Sequence, residues 1–301
     1  MSLVFGAFQA ALGSGAGKLT LYETTHLGLP LGFFANINHQ ADLLVIGMVF
    51  AAVLAPPLSR SAPARGDKGH FEKFFWIYGL MVALGVGVIV SGSRAGIALM
   101  VVAMIAIALR NRGSGHAWFY IVGGFALALG LLLLITFNTI VARSLADFSN
   151  VDDPRFHFWP NVVWAIGQFG IWGTGAGTFD GIYRSAETLD SMTASYVNHA
   201  HNEYLEIALE MGIAGIALVI AFFVFLVRRS IAIIRRPELR LGRALSYAGL
   251  TTIGLFLLHS AVDYPLRTPL LSVLFGFACG LIVSSPVSNP DRPESVSEAA
   301  R

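Results

Sequence analysis

Long apolar runs alternating with short polar ones set the first picture of this chain. Runs at about 41–58, 74–90, 97–109, 118–137, 205–227, 244–258 and 269–283 each approach the length a bilayer requires and predict seven membrane-spanning helices. Pro56 and Pro57 close the first run, and the SGSRAG link after Val90 folds the second and third into an antiparallel hairpin. Residues 3–12 are apolar but too short to span; without a basic leader or cleavage site they read as the end of a helix begun upstream, not as a signal peptide. The polar stretch 14–40 reads as loop, residues 138–201 form the longest polar segment, and residues 284–301, rich in Pro, Ser and Glu, read as a disordered tail.

Composition agrees with the pattern. A chain of 301 residues that is 55% hydrophobic and 13% charged is too apolar for a soluble domain. The expected fold class is therefore all-α, a polytopic transmembrane bundle of about seven spans with one long outward loop. The single cysteine, Cys279, excludes an intramolecular disulfide.

Charge orients the bundle. Arg60, Arg65, Lys68, Lys73, Arg110, Arg112, Arg228, Arg229, Arg235, Arg236, Arg240, Arg243, Arg292 and Arg301 fall on one side, and Lys18, Arg94, Arg143, Arg155, Arg184 and Arg267 on the other. The richer side is cytoplasmic by the positive-inside rule, so loop 138–201 faces outward and the tail lies inside.

The outward arginines are then the ones topology does not explain. Arg94, in a tight turn at the membrane interface, either binds an anion or snorkels to lipid headgroups. Arg155 follows Asp152, Asp153 and Pro154 at the start of FHFWPNVVWAIGQFG. That pattern predicts a helix on the membrane surface with Trp159, Val163, Ile166 and Phe169 on its apolar side. Its N-terminus with Arg155 suits a phosphate, and a salt bridge to the neighbouring aspartates is the competing reading.

The stretch SYVNHAHNEYLEIALEMGIAG, 195–215, sets His199, His201, Glu203, Glu206 and Glu210 at the mouth of the fifth span. Titratable groups there form either a functional site or a solvated helix start capped by Asn202 or Asn198. Glu203, Glu206 and Glu210 share one side of that helix with His199, where one of them could orient a histidine or an acceptor; for Glu203 packing and solvation is the favoured role. The loop GTGAGTF, 173–179, lacks the ending of a nucleotide P-loop and reads as a tight return. No HExxH, CxxC or GxSxG occurs, which leaves zinc and serine-hydrolase chemistry without support.

Taken in order, GFFANINHQA, SGSRAG, DPRFHFW with GTGAGTF, HNEYLEIALEMGIAG and HSAVDYPLRTP resemble the O-antigen ligase and polymerase family of bacterial membrane glycosyltransferases. The resemblance runs from about residue 32 to 271 and is most specific in HNxxL followed by ExGIxG. It implies a GT-C-like membrane domain over residues 1–283, active on the periplasmic face of the inner membrane and dependent on no metal or cofactor. It also implies a donor glycan on undecaprenyl diphosphate and an acceptor hydroxyl on lipid A-core or on a growing glycan, among membrane lipids and without nucleic acid. By similarity His201 is the general base, Arg94 and Arg155 hold the diphosphate, and Arg143 and Arg267 are further candidates for the same anion. His199, Asn202, Glu206 and Glu210 are candidates to orient the acceptor or a histidine. Family members usually carry about twelve spans, so a truncated reading frame, a fragment or half of a split enzyme is one alternative, and a non-catalytic lipid-glycan transporter or binding subunit is a separate one.

Overall fold

The computed structural model describes residues 1–12, 19–22, 29–54, 68–110, 154–189, 192, 197–235 and 240–284. The predicted fourth span, Arg143 and the tail lie outside the described residues. Every regular element among those described is helical: α1 (Ser2–Leu12), α2 (Ile37–Leu54), α3 (Lys68–Val90), α4 (Arg94–Arg110), α5 (Pro154–Phe169), α6 (Phe179–Ala186), α7 (Glu203–Ile234), α8 (Arg240–His259) and α9 (Pro269–Ser284). Short 3₁₀ turns, Gly170–Trp172 and Pro265–Arg267, follow α5 and precede α9.

Helices stand at six of the seven predicted spans. Among the described residues α2 and α7 are long and apolar enough to cross a membrane, while Phe75–Val90 and α9 are apolar but shorter. The central helix is α2, whose Leu44, Val45, Met48 and Val49 join Ile89 of α3, Leu99, Met100 and Ala103 of α4, and Leu255 of α8 in one apolar core. On another side of α2, Ile46 meets Phe256 and Leu271. Small residues let α4 come close, for a Cβ on Gly96 would lie 2.3 Å from the Cβ of Ala41. That approach carries the SGSRAG turn to the first residues of α2.

A second core holds Phe158, Val162 and Ala165 of α5 against Phe179 and Tyr183 of α6, Ala200 and Leu209. The side expected to meet the membrane surface lies beside this core and is not the side that it buries. Val163 and Phe169 are exposed and Trp159 and Ile166 lie at the edge, because α6 and α7 cover the stripe beginning at Phe158. The helix is apolar over most of its circumference, so its pattern alone leaves the buried side open.

Helix α7 is two helices joined at a break. Gly212 takes φ 56 and ψ −142, and the carbonyls of Leu209 and Glu210 accept bonds from Thr174 N at 2.9 Å and Gly175 N at 2.8 Å. The GTGAGTF loop therefore satisfies backbone groups that the break would leave unpaired. Contact is close enough that a Cβ on Gly212 would lie 2.2 Å from the carbonyl oxygen of Ile171. Below the break α7 turns apolar residues such as Leu218, Ile220 and Val224 outward, as a helix in hydrocarbon would. Above it, Glu203, Glu206 and Glu210 are buried.

Candidate active site

Four polar segments meet above the helical core: the start of α2, the SGSRAG turn, the approach to α7, and the link between α8 and α9. Their centre is Asp263, a fully buried carboxylate. Asn38 Nδ2 donates to its Oδ2 at 2.6 Å, and Ser93 Oγ donates to Asn38 Oδ1 at 2.7 Å. Three histidines converge on the same carboxylate: His201 Nδ1 at 3.3 Å and His39 Nε2 at 3.9 Å from Oδ1, and His259 Nε2 at 3.7 Å from Oδ2. Burial alone would push the pKa of Asp263 up, yet these imidazoles outweigh it and hold its carboxyl well below the usual carboxylate range.

His201 is not on a helix. Asn202 caps α7, accepting from Leu205 N at 3.1 Å, and its Nδ2 donates to Ala261 O at 2.9 Å. One residue earlier, His201 adopts φ 47, a left-handed conformation that costs a side-chain-bearing residue about 1 kcal/mol or more and clusters at functional sites. The turn swings Nδ1 inward to Asp263, while the ring remains 26% exposed. With Nδ1 buried, the exposed area lies on the other atoms of the ring.

His199 lies close by, although two residues along a regular helix would turn its side chain well away from that of His201. Both rings touch Tyr264, with centroids 4.3 Å and 4.8 Å away. The hydroxyl of Tyr264 bonds with Asn36 and Asn198, and burial together with the charge of Asp263 pushes its pKa up to about 12.

The glutamates have separate duties. Glu206 bonds His199 Nδ1 at 2.9 Å and accepts from Ala200 N at 2.9 Å, fixing the segment that carries His201. Glu210 accepts from Phe179 N at 3.2 Å and pairs with Arg267 at 2.8 Å. Arg267 also lies 3.3 Å from Glu206, so two buried carboxylates already engage its charge. Of the packing and solvation expected for Glu203 the structure shows the packing: the side chain is buried, and its carboxylate accepts from Ser260 Oγ at 2.5 Å and Leu266 N at 2.7 Å, stapling α7 to the α8–α9 link.

Arg155, on the first turn of α5, donates through Nη1 to the carbonyl of Val262, the residue before Asp263. Arg94 is the first residue of α4, directly after Ser93, which belongs to the same hydrogen-bonded chain as Asp263. Eight of the nine site residues read from sequence thus lie in or beside one cluster, and the ninth, Arg143, is outside the described residues. Sequence reading passed over Asp263, His39, His259, Asn38, Asp42 and Tyr264. Their signal was present, since GFFANINHQA and HSAVDYPLRTP contain all but Asp42, which follows by one residue.

Among the described residues no group of His, Cys, Asp and Glu is arranged to hold a metal ion. What the cluster offers is a histidine with one nitrogen facing a buried carboxylate and part of its ring exposed, with the guanidinium of Arg155 bonded to the residue before that carboxylate. That is the equipment for removing a proton from a hydroxyl beside an anionic group.

Comparison with known families matches residues 79–220 to the family described as O-antigen ligase, which supports assigning the chain to the O-antigen ligase and polymerase family. The matched region contains Arg94, Arg155, His199, His201 and Glu206 but stops before Asp263 and begins after His39. No curated protein and no solved structure matches the chain.

Proposed function

From an O-antigen ligase domain over residues 79–220, we propose that this chain is a membrane glycosyltransferase that moves a glycan from undecaprenyl diphosphate to an acceptor hydroxyl at the periplasmic face of the inner membrane. The observation that carries the reading is the approach of His201 to Asp263 beside Arg155, at the end of the bundle where α7 begins.

In this reaction Nε2 of His201 takes the hydroxyl proton as the acceptor oxygen bonds to the anomeric carbon. The bond from that carbon to the diphosphate oxygen breaks, and undecaprenyl diphosphate leaves. Asp263 holds the ring with Nδ1 inward and balances the imidazolium that forms, the role an aspartate has behind a catalytic histidine. Arg94 and Arg155 take up charge growing on the diphosphate, which a guanidinium fork does in two hydrogen bonds at once. Arg267, engaged by Glu206 and Glu210, acts instead by positioning the His199–Ala200 segment.

The test uses a purified lipid-linked donor and variants brought to equal membrane abundance. His201→Ala is expected to lose turnover by roughly 10² to 10⁴-fold while still binding donor. Arg94→Ala and Arg155→Ala are expected to weaken donor binding, with poor rescue by lysine, which has no planar fork. Near-normal turnover of His201→Ala would overturn the assignment. Glycan gels of a deletion strain separate the acceptors: loss of all polymer on lipid A-core marks a ligase, and a single-repeat ladder marks a polymerase.

A further inference from the structure

Behind Asp263 lies a second acid–histidine pair that the proton transfer does not touch. His259 Nδ1 is 2.8 Å from Asp42 Oδ2, with both side chains buried. The other nitrogen of the same ring faces Asp263 Oδ2 at 3.7 Å. His259 is thus a ring with a carboxylate at each nitrogen.

A neutral imidazole carries one N–H and one lone pair, so it would turn a lone pair toward one of these carboxylates, placing two electron-rich groups face to face. An imidazolium carries N–H on both nitrogens and suits both. Position adds to this, because His259 is the last residue of α8, where the carbonyl end of a helix favours a cation. Two carboxylates this deep are stabilised in their ionised form by a positive charge between them.

We infer that His259 is a lasting imidazolium bridging Asp42 and Asp263, and that this pair of residues positions Asp263 as an ionised carboxylate behind His201. The inference rests on His201 being the general base for its kinetic consequences, but not for its charge state. Asp42 lies in the first two turns of α2, at the same end of the bundle as the site, so its charge serves the site and not a path across the membrane. The charged and titratable groups facing His259 are Asp42 and His39 from α2, Asp263 from the link after α8, and Arg155 from α5.

Two substitutions pull in opposite directions. Asp42→Asn removes a negative charge from the neighbourhood of His201, so the acid limb of its rate profile is expected to move to lower pH. His259→Asn removes a positive charge, and the limb is expected to move to higher pH. The double variant is expected to return the limb toward its original place, since a neutral pair replaces a neutral pair. Lower turnover with unmoved limbs in both single variants would show a purely structural role and overturn the inference. In the intact, uniformly ¹⁵N-histidine-labelled protein, nitrogen NMR is expected to show one imidazolium, protonated on both nitrogens, that persists above neutral pH and disappears in His259→Asn. Its absence from the unsubstituted protein would also overturn the inference, even where the variants fold poorly. That spectrum does not depend on catalysis, so failure of the base assignment for His201 and failure of this bridge are separately visible.

Discussion

Asp263 Oδ1 and His201 Nδ1 lie 3.3 Å apart although 62 residues separate them in sequence, and neither belongs to a helix. The distance exceeds the 2.7–2.9 Å of a well-formed charge-assisted bond, so the pair has room to tighten once the ring gains a proton.

Asp263→Asn tests that relationship without changing shape. The amide retains the volume but cannot balance an imidazolium, and turnover is expected to fall by at least about 10²-fold, toward that of His201→Ala, with donor binding retained. Combining the two substitutions should cost little more than either alone, because residues acting as one unit are not additive. A fully additive double variant would separate their roles.

Tyr264 gives a pH signature. Its phenol ionises near 10 in the unfolded chain and at about 12 in the folded one. Between those values the unfolded state has lost the proton that the native state retains. Stability is therefore complete below pH 10 and declines as pH rises to 12, by at most about 3 kcal/mol. Thermal unfolding in detergent from pH 9 to 12 should show the slope, and Tyr264→Phe should flatten it. An equal slope in the variant would assign the effect to other groups.

The break in α7 depends on glycine. Gly212 and Gly173 both have positive φ, and a Cβ on Gly173 would lie 2.6 Å from the carbonyl oxygen of Glu210. Alanine at either position is expected to lower stability by about 1–3 kcal/mol from backbone strain alone, with the clash adding to it. Gly181, where a Cβ meets nothing within 4 Å, is the control and should tolerate alanine. Thermal midpoints of the three variants in one detergent make the comparison.

Orientation is testable by labelling. In a Cys279→Ser background, single cysteines at Arg65 and Arg236 are expected to resist a membrane-impermeant thiol reagent in intact cells, and one at Glu187 to react. The reverse pattern would place the cluster on the cytoplasmic face and remove the proposed reaction.

The places of the helices were legible because apolar length is a property of neighbouring residues. Polar positions at helix ends were not. Residues 37–40, INHQ, read as loop because they are polar, yet they form the first turn of α2, where Asn36 Oδ1 accepts from Asn38 N at 2.8 Å. Partners more than two hundred residues away make them tolerable there: His39 meets Thr268, Asn38 meets Asp263, and a few positions on Asp42 meets His259. No local pattern carries that information. His201 was legible from its crowd of titratable neighbours, but its orientation was not, because a single residue in the left-handed region breaks the helical periodicity on which the reading relied.

The glycine break also divides α7 into two independent registers. An added residue just below Gly212 would turn everything beyond it by about 100°, carrying Phe222 and Ile233 off Phe275, Ala278 and Ile282 and Arg229 off the carbonyls of Ile282 and Val283, while the turns above the break kept their contacts. The same addition between Glu206 and Glu210 would turn one carboxylate away from Arg267. The upper turns of α7 are thus indexed to the site and the lower turns to α9, and the break lets each register be set without the other.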